Sequence, residues 1–461
     1  MRLKKVTLSN FRCFKQLDLM LHPRLTVLVA ENGGGKTAVL DGIAIGLSPV
    51  LRYFSSASQR LSGPGIKDID YRVEEVARSG RIKLSNYTQV VVETCNGIRW
   101  DNWKPAIQGQ KPKEEIGQKD LADYVIPILD SLKNDTPELF PVFSYYGARR
   151  GWLPIPERLR GTKIDYTQPA SALYETLNPL NDFKEMLNWF DFEEANELRS
   201  NKGCRPEDFE PSELLEAVRA ALAQLLGKKY KNPHFNRQHK FVVESDDDPG
   251  ELQVSQLSQG YQSMLALGMD FARRQAIANN HLADADLTKN QSIMDCAEHW
   301  PESDLPDFRS PANMAPAIML VDEIDLHLHP SWQQRVLADL MRAFPCTQFI
   351  VTTHSPQVLT TVASECIRVL ENGVVHSAPP GSEGAESSRV LRRVLGVEVR
   401  PPDNNATKEL KEYLDLVYND EWSSDRALEL RKKLDQRYLG EEPALLDADL
   451  HIENRKWEME G

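Results

Sequence analysis

Ala30-Glu31-Asn32-Gly33-Gly34-Gly35-Lys36-Thr37 decides the fold, because it joins an apolar run, Leu25–Val29, to a segment with helical apolar spacing over residues 38–45. Strand, glycine-rich loop and helix in that order make the phosphate-cradling P-loop. Gly33, Gly34 and Gly35 let backbone N–H groups converge on phosphate oxygens without Cβ interference, and the helix start adds partial positive charge. The stretch from Ala30 to Ala38 is therefore the candidate nucleotide-binding segment. Lys36 supplies a mobile point charge to the terminal phosphates, and Thr37 places a hydroxyl on Mg²⁺, which disperses charge as the phosphate bond breaks. Ala30 stands where the pattern usually has glycine; if that position needs positive φ, alanine costs roughly 1 kcal/mol. An ordinary Gly-rich turn is the plain alternative for this segment taken alone.

Three further segments remove that alternative. Pro316-Ala317-Ile318-Met319-Leu320-Val321-Asp322-Glu323 is a buried-type strand that wastes no polarity until two carboxylates at its tip. Asp322 is placed to hold the Mg²⁺ shell, and Glu323 to orient or deprotonate the water attacking the γ-phosphate. Leu257-Ser258-Gln259-Gly260-Tyr261-Gln262 opens a helical pattern, where Ser258 and the N–H of Gly260 make a second anion-binding helix start. Gln348-Phe349-Ile350-Val351-Thr352-Thr353-His354-Ser355-Pro356 is another apolar strand with a histidine, His354, at its tip. Between the last two strands, residues 332–343 read as a helix, completing a strand, helix, strand unit.

These four motifs, in this order, resemble the P-loop, signature, double carboxylate and switch histidine of ABC-type ATPases. The opening Met1-Arg2-Leu3-Lys4-Lys5-Val6-Thr7-Leu8-Ser9-Asn10-Phe11-Arg12-Cys13-Phe14 and the run Asp322-Glu323-Ile324-Asp325-Leu326-His327-Leu328-His329-Pro330 resemble the RecF, SMC and OLD branch. Within it, Phe143-Ser144-Tyr145-Tyr146-Gly147-Ala148-Arg149-Arg150, the signature run and the tail make the chain look most like the ATPase subunits of bacterial anti-phage systems, the PtuA type of Septu and related retron systems. The resemblance implies an ATP- and Mg²⁺-dependent ATPase. It implies that two protomers sandwich ATP, with Lys36, Thr37, Asp322, Glu323 and His354 acting in cis and Ser258 with Gly260 acting in trans. It also implies a homodimer or larger oligomer that controls a separate HNH-type nuclease subunit. The alternative is a RecF-like DNA-repair clamp without a nuclease partner. It further implies an α/β ABC-type P-loop ATPase head with a mixed central sheet, an antiparallel side sheet, a helical insertion and a helical C-terminal tail.

Composition agrees. The chain has 461 residues, 41% of them hydrophobic, enough for one large two-lobed domain with appendages. No apolar run reaches a membrane span and no signal peptide opens the chain, so a cytoplasmic protein without membrane contact is expected. The six cysteines lack paired spacing, which argues for reduced thiols. His327 and His329 are spaced for opposite faces of a strand, not for one metal. A net charge of −13 is wrong for a chain that coats nucleic acid all over. Nucleic-acid contact remains open at the basic, aromatic stretch 228–240, whose other reading is a solvated loop. Arg149 or Arg150 stands where these ATPases sense Mg²⁺ and γ-phosphate, and suits a phosphate, nucleic acid or a surface salt bridge.

Along the chain, residues 1–170 form the N-terminal half of the ATPase lobe, with a side sheet over 62–105, and 171–240 a helical insertion too short for an SMC-like arm. Residues 241–378 return to the lobe, with a closing hairpin over Asn372-Gly373, and 379–461 are a helical tail suited either to packing against the core or to partner docking. Asp447-Ala448-Asp449 resembles the paired acids of Toprim nucleases, but so short a helical tail lacks a β/α scaffold to hold them beside a third acid.

Overall fold

The computed structural model describes residues 1–56, 59–76, 82–134, 138–148, 164–180, 183–226, 230–245, 250–282 and 315–460. It comprises two compact units, Met1–Val390 and Leu391–Gly461.

The first unit opens with an antiparallel sheet. β1 (Leu3–Phe11) and β2 (Phe14–Met20) alternate between buried and less buried positions, as a sheet with one covered face requires. The chain then leaves for a second sheet through β3 (Leu25–Val29) and enters helix α1 (Lys36–Phe54). β4 (Val73–Val76) and β5 (Ile82–Leu84) form a small ribbon; β6 (Tyr87–Thr94) and β7 (Arg99–Pro105) complete the side sheet in the order β2-β1-β6-β7. Trp100 Nε1 donates to the carbonyl of Gly46 at 2.7 Å, which fastens α1 to that sheet. α1 is long and apolar enough to cross a membrane, and 78% of its apolar window is buried inside the protein. The expectation that no segment reaches that length is thus corrected, and the burial identifies a core helix.

The second sheet carries the site. β8 (Val142–Tyr146), β12 (Ala317–Val321), β13 (Thr347–Thr352), β14 (Ile367–Glu371) and β15 (Val374–Ser377) join β3 in the order β15-β14-β3-β13-β12-β8. All pairings are parallel except β14 with β15, which close over Asn372 and Gly373, both at positive φ. β3, β8, β12 and β13 are buried at every residue, because parallel strands covered on both faces must be apolar throughout. This order sets the carboxyl ends of β3, β13, β12 and β8 side by side, where open α/β sheets bind ligands.

Helices α2 (Lys119–Asn134), α3 (Lys184–Ser200), α4 (Glu213–Leu226) and α5 (Gln259–Asn279) surround this frame, the middle two supplying the helical insertion. Between α4 and α5 a third sheet runs β11 (Glu251–Gln253), β10 (Phe241–Ser245), β9 (Tyr230–Phe235). β9 corrects the reading of residues 228–240 as a loop. Its Pro233 is tolerated because β9 lies at the sheet edge, and Asn232 and His234 are engaged with Glu244 and Glu251. Lys228 and Lys229 lie outside the described residues. The helix expected over 332–343 is broken into Pro330–Gln333 and Val336–Ala343. Residues 324–327 form turns, so His327 and His329 do not share a strand.

The second unit is built on helices Asn405–Tyr418, Asp425–Tyr438 and Pro443–Glu460 around Leu410, Tyr413, Val417, Leu430, Leu434 and Leu445. Asn404 and Ser424 cap the first two. Ala448 belongs to the core and Asp449 accepts from Arg431 Nη2 at 2.9 Å, which gives that acid a structural role, whereas Asp447 is exposed.

Candidate nucleotide site

The loop Ala30–Thr37 is shaped by its own backbone and by the turn between β1 and β2. Gly34 N donates to Glu31 O at 3.0 Å, and Gly33 and Gly35 have φ of 81° and 94°. Ala30 is absent from the positive-φ residues, so the strain expected there does not arise. The adjustment falls on Gly34, where a Cβ would come within 2.6 Å of the Ala30 Cβ. Alanine at 30 is compatible with the loop because position 34 carries no side chain. A Cβ on Gly35 would lie 2.5 Å from Phe14 Cζ and 2.9 Å from Cys13 Sγ, which places the β1–β2 turn directly against the loop. Arg12 in that turn donates to Asp41 on α1 at 2.7 Å and to Asp70 at 2.9 Å, and Asp41 also accepts from Tyr145 at 2.9 Å. Burial, aided by the Asp41 and Asp322 carboxylates, holds the Tyr145 hydroxyl protonated far above its ordinary range.

Lys36 is buried and its Nζ donates to the Ala30 carbonyl at 3.1 Å. Burial pulls its pKa down, and the carboxylates of Asp322, Glu323 and Asp325 push back. Thr37 Oγ1 donates to Asp322 Oδ2 at 2.8 Å, joining the loop to the tip of β12. Thr352 Oγ1 donates to the other Asp322 oxygen at 2.6 Å and accepts from Glu323 N at 2.7 Å. One hydroxyl thereby orients the aspartate and fixes the backbone of the glutamate. Glu323 sits half-buried at φ 50°, a left-handed conformation that costs an L-residue roughly 1–2 kcal/mol. The neighbouring Thr37 hydroxyl and Asp322 carboxylate are hard oxygen donors of the kind Mg²⁺ prefers.

The β13 tip continues the site. Thr353 Oγ1 donates to Asp325 at 2.5 Å, Ser355 caps the helix Pro356–Leu359, and His354 between them is exposed. At the signature, Ser258 is the N-cap residue of α5 yet its hydroxyl makes no capping bond, and it too is exposed. Gly260 is buried against the turn that follows the carboxylates: a Cβ there would lie 2.8 Å from the His327 carbonyl. The structure thus brings Lys36, Thr37, Asp322 and Glu323 together. Among the described residues no hydrogen bond links Ser258 or Gly260 to the loop Ala30–Thr37. Arg149 and Arg150 lie outside the described residues. A separate group, His22, Glu365 and Cys366, holds three donor atoms within 4.8 Å. His22 Nδ1 accepts from the N–H groups of Arg24 and Leu25 at 3.3 and 3.2 Å, so a neutral ring carries its proton on the other nitrogen and has no lone pair left for a metal.

The profile of the family described as AAA domain matches residues 5–240, and that described as AAA domain, putative AbiEii toxin, Type IV TA system, matches residues 129–360. The chain belongs to the AAA-domain family of P-loop ATPases. This AAA-domain chain is 28% identical to the Retron Ec83 probable ATPase of Escherichia coli, over 99% of its own length and 88% of that protein. It is 26% identical to the Retron Vc95 probable ATPase of Vibrio cholerae serotype O1 biovar El Tor, over 80% and 73% of the two chains. Similarity to the Septu protein PtuA of Bacillus mycoides, 32%, is confined to 26% of this chain and 13% of that one. The expected kinship with retron and Septu ATPases is present, and the retron proteins match over the greater length.

Sequence reasoning missed the buried support of this ATPase site. Asp270 on α5 accepts from Tyr146 at 2.9 Å and from Arg273 and Arg274 at 2.7 Å each. Arg274 also donates to the carbonyls of Ala172 and Tyr174 at 2.7 and 2.9 Å. The Tyr146 carbonyl accepts from Asp322 N at 2.9 Å. The signature helix and the β12 carboxylate are therefore tied to the same residue. Two basic residues one turn beyond an acid inside an otherwise apolar helix were the available signal.

Proposed function

We propose that this chain is the ATP-hydrolysing subunit of an anti-phage defence complex, in which two copies close over ATP and control a separate HNH-type nuclease. The supporting observation is the chain of contacts from Thr37 through Asp322 and Thr352 to Glu323. It holds Thr37, Asp322 and the Glu323 backbone in fixed relation, which supports the reading because positioning is the source of most catalysis of phosphoryl transfer.

In this reading the loop N–H groups from Ala30 to Ala38 and Lys36 hold the β- and γ-phosphates. Thr37 and Asp322 would hold Mg²⁺, which disperses phosphate charge. The Glu323 carboxylate takes a proton from water as its oxygen bonds to the γ-phosphorus, the bond to the bridging oxygen breaks, and ADP leaves with phosphate. His354 faces the γ-phosphate. Ser258, exposed at the start of α5, and the N–H of Gly260 bind the γ-phosphate held by the other copy.

Reconstitution with the HNH-type subunit tests this function. The chain alone leaves DNA and RNA intact, the pair cuts nucleic acid, and cutting changes between ATP and ADP. Metal-dependent cleavage by the purified chain alone, or cleavage by the pair that ignores nucleotide, contradicts the proposal.

A further inference from the structure

The last helix, Pro443–Glu460, is apolar on two opposite faces. One face buries Leu445 and Ala448, with Ile452 packed beside them, in the core of the second unit. The other carries Leu446, Leu450 and Trp457, which are 53, 60 and 82% exposed. At about 100° per residue these three fall within about 40° of one another, so they form one stripe. A helix that packs on a single core needs only one such face. The stripe therefore has no use in holding the unit together.

Charge selects what can cover it. The exposed positions flanking the stripe are Asn454, Asp447 and Glu458 on one side and Glu453 and Lys456 on the other, three acids to one base. Arg455 lies further round the helix and is held by Asp420 at 3.0 Å as well as by Glu458 at 2.8 Å. A second copy of this helix would bring up another rim in which acids outnumber bases. An anionic membrane would meet the same repulsion. A helix with an apolar seam and Lys or Arg on both flanks satisfies the seam and the rim together. We infer that the stripe Leu446, Leu450 and Trp457 is the docking seat for a basic amphipathic helix of a partner protein. Naming that partner as the effector subunit rests on the function proposed above; the chemistry of the seat does not.

The test uses the full chain and two labelled synthetic helices that share one leucine seam, one flanked by Lys and Arg and the other by Glu, with phosphatidylglycerol vesicles as a third arm. The basic helix binds at least about tenfold more tightly than the acidic one. Leu450→Asp removes that binding, and the double variant Asp447→Lys with Glu453→Lys reverses the preference, while both variants keep wild-type ATP turnover. Equal affinity for the two peptides, indifference to Leu450→Asp, or preference for the vesicles overturns the inference. So does nucleotide-independent self-association that Leu450→Asp abolishes. A peptide result of either sign with ATP-dependent dimers intact bears on the seat alone; loss of those dimers in the wild-type chain bears on the function proposed above.

Discussion

Glu323→Gln lowers steady-state ATP turnover by about 10³-fold, within the range a general base supplies, and leaves ATP binding within a factor of about three. The backbone of residue 323 is held by the Thr352 hydroxyl at 2.7 Å, and Ile324 N by the Thr352 carbonyl at 2.9 Å. Glutamine therefore occupies the same position and keeps the shape of the site. It cannot take a proton from water, so the bound triphosphate persists. Single-turnover hydrolysis read beside equilibrium ATP binding separates the two effects. Unchanged turnover removes Glu323 from the water-activating role, and a parallel loss of binding shows that the substitution disturbed the loop instead.

Asp270→Ala destabilises the first unit by about 3–5 kcal/mol, because it leaves the guanidinium groups of Arg273 and Arg274 buried without their carboxylate. Tyr146→Phe removes one neutral donor and costs about 1–2 kcal/mol. Burial alone would raise the Asp270 pKa; the charges of Arg274 and Arg273 hold it below the ordinary carboxylate range. A depressed folded-state pKa contributes stability above the unfolded value that is lost as pH falls through the folded one, so the Asp270 contribution persists at neutral pH and fades only in acid. Denaturant midpoints of the two variants at neutral pH check the ranking. Equal midpoints for wild type and Asp270→Ala mean that the cluster holds nothing in place.

The segments that carry Lys36, Asp322, Ser258 and His354 were legible as element boundaries because each ends or begins an element whose apolar pattern is plain. Their partners were not. Thr352 looks like any β-branched residue in a strand; it matters because Val321 lies opposite Val351, which sets Asp322 one step on beside Thr352. That register belongs to the folded sheet and to no local pattern. Asp41, Asp70 and Tyr146 act across 29, 58 and 124 residues of sequence, and Gly260 is required by a carbonyl at His327. β9 was missed because Pro233 and the surrounding lysines read as loop, whereas an edge strand accepts both.

The proposed function has ATP join two copies of this chain, each completing the site of the other. Its most direct test is the molecular mass of the purified chain in solution with a hydrolysis-resistant ATP analogue, with ADP, and with no nucleotide, for wild type and Ser258→Arg. The account predicts a dimer or a multiple of it for wild type with the analogue, its dissociation with ADP, and no nucleotide-dependent association for Ser258→Arg. A wild-type chain that stays monomeric with the analogue while hydrolysing ATP at full rate contradicts it.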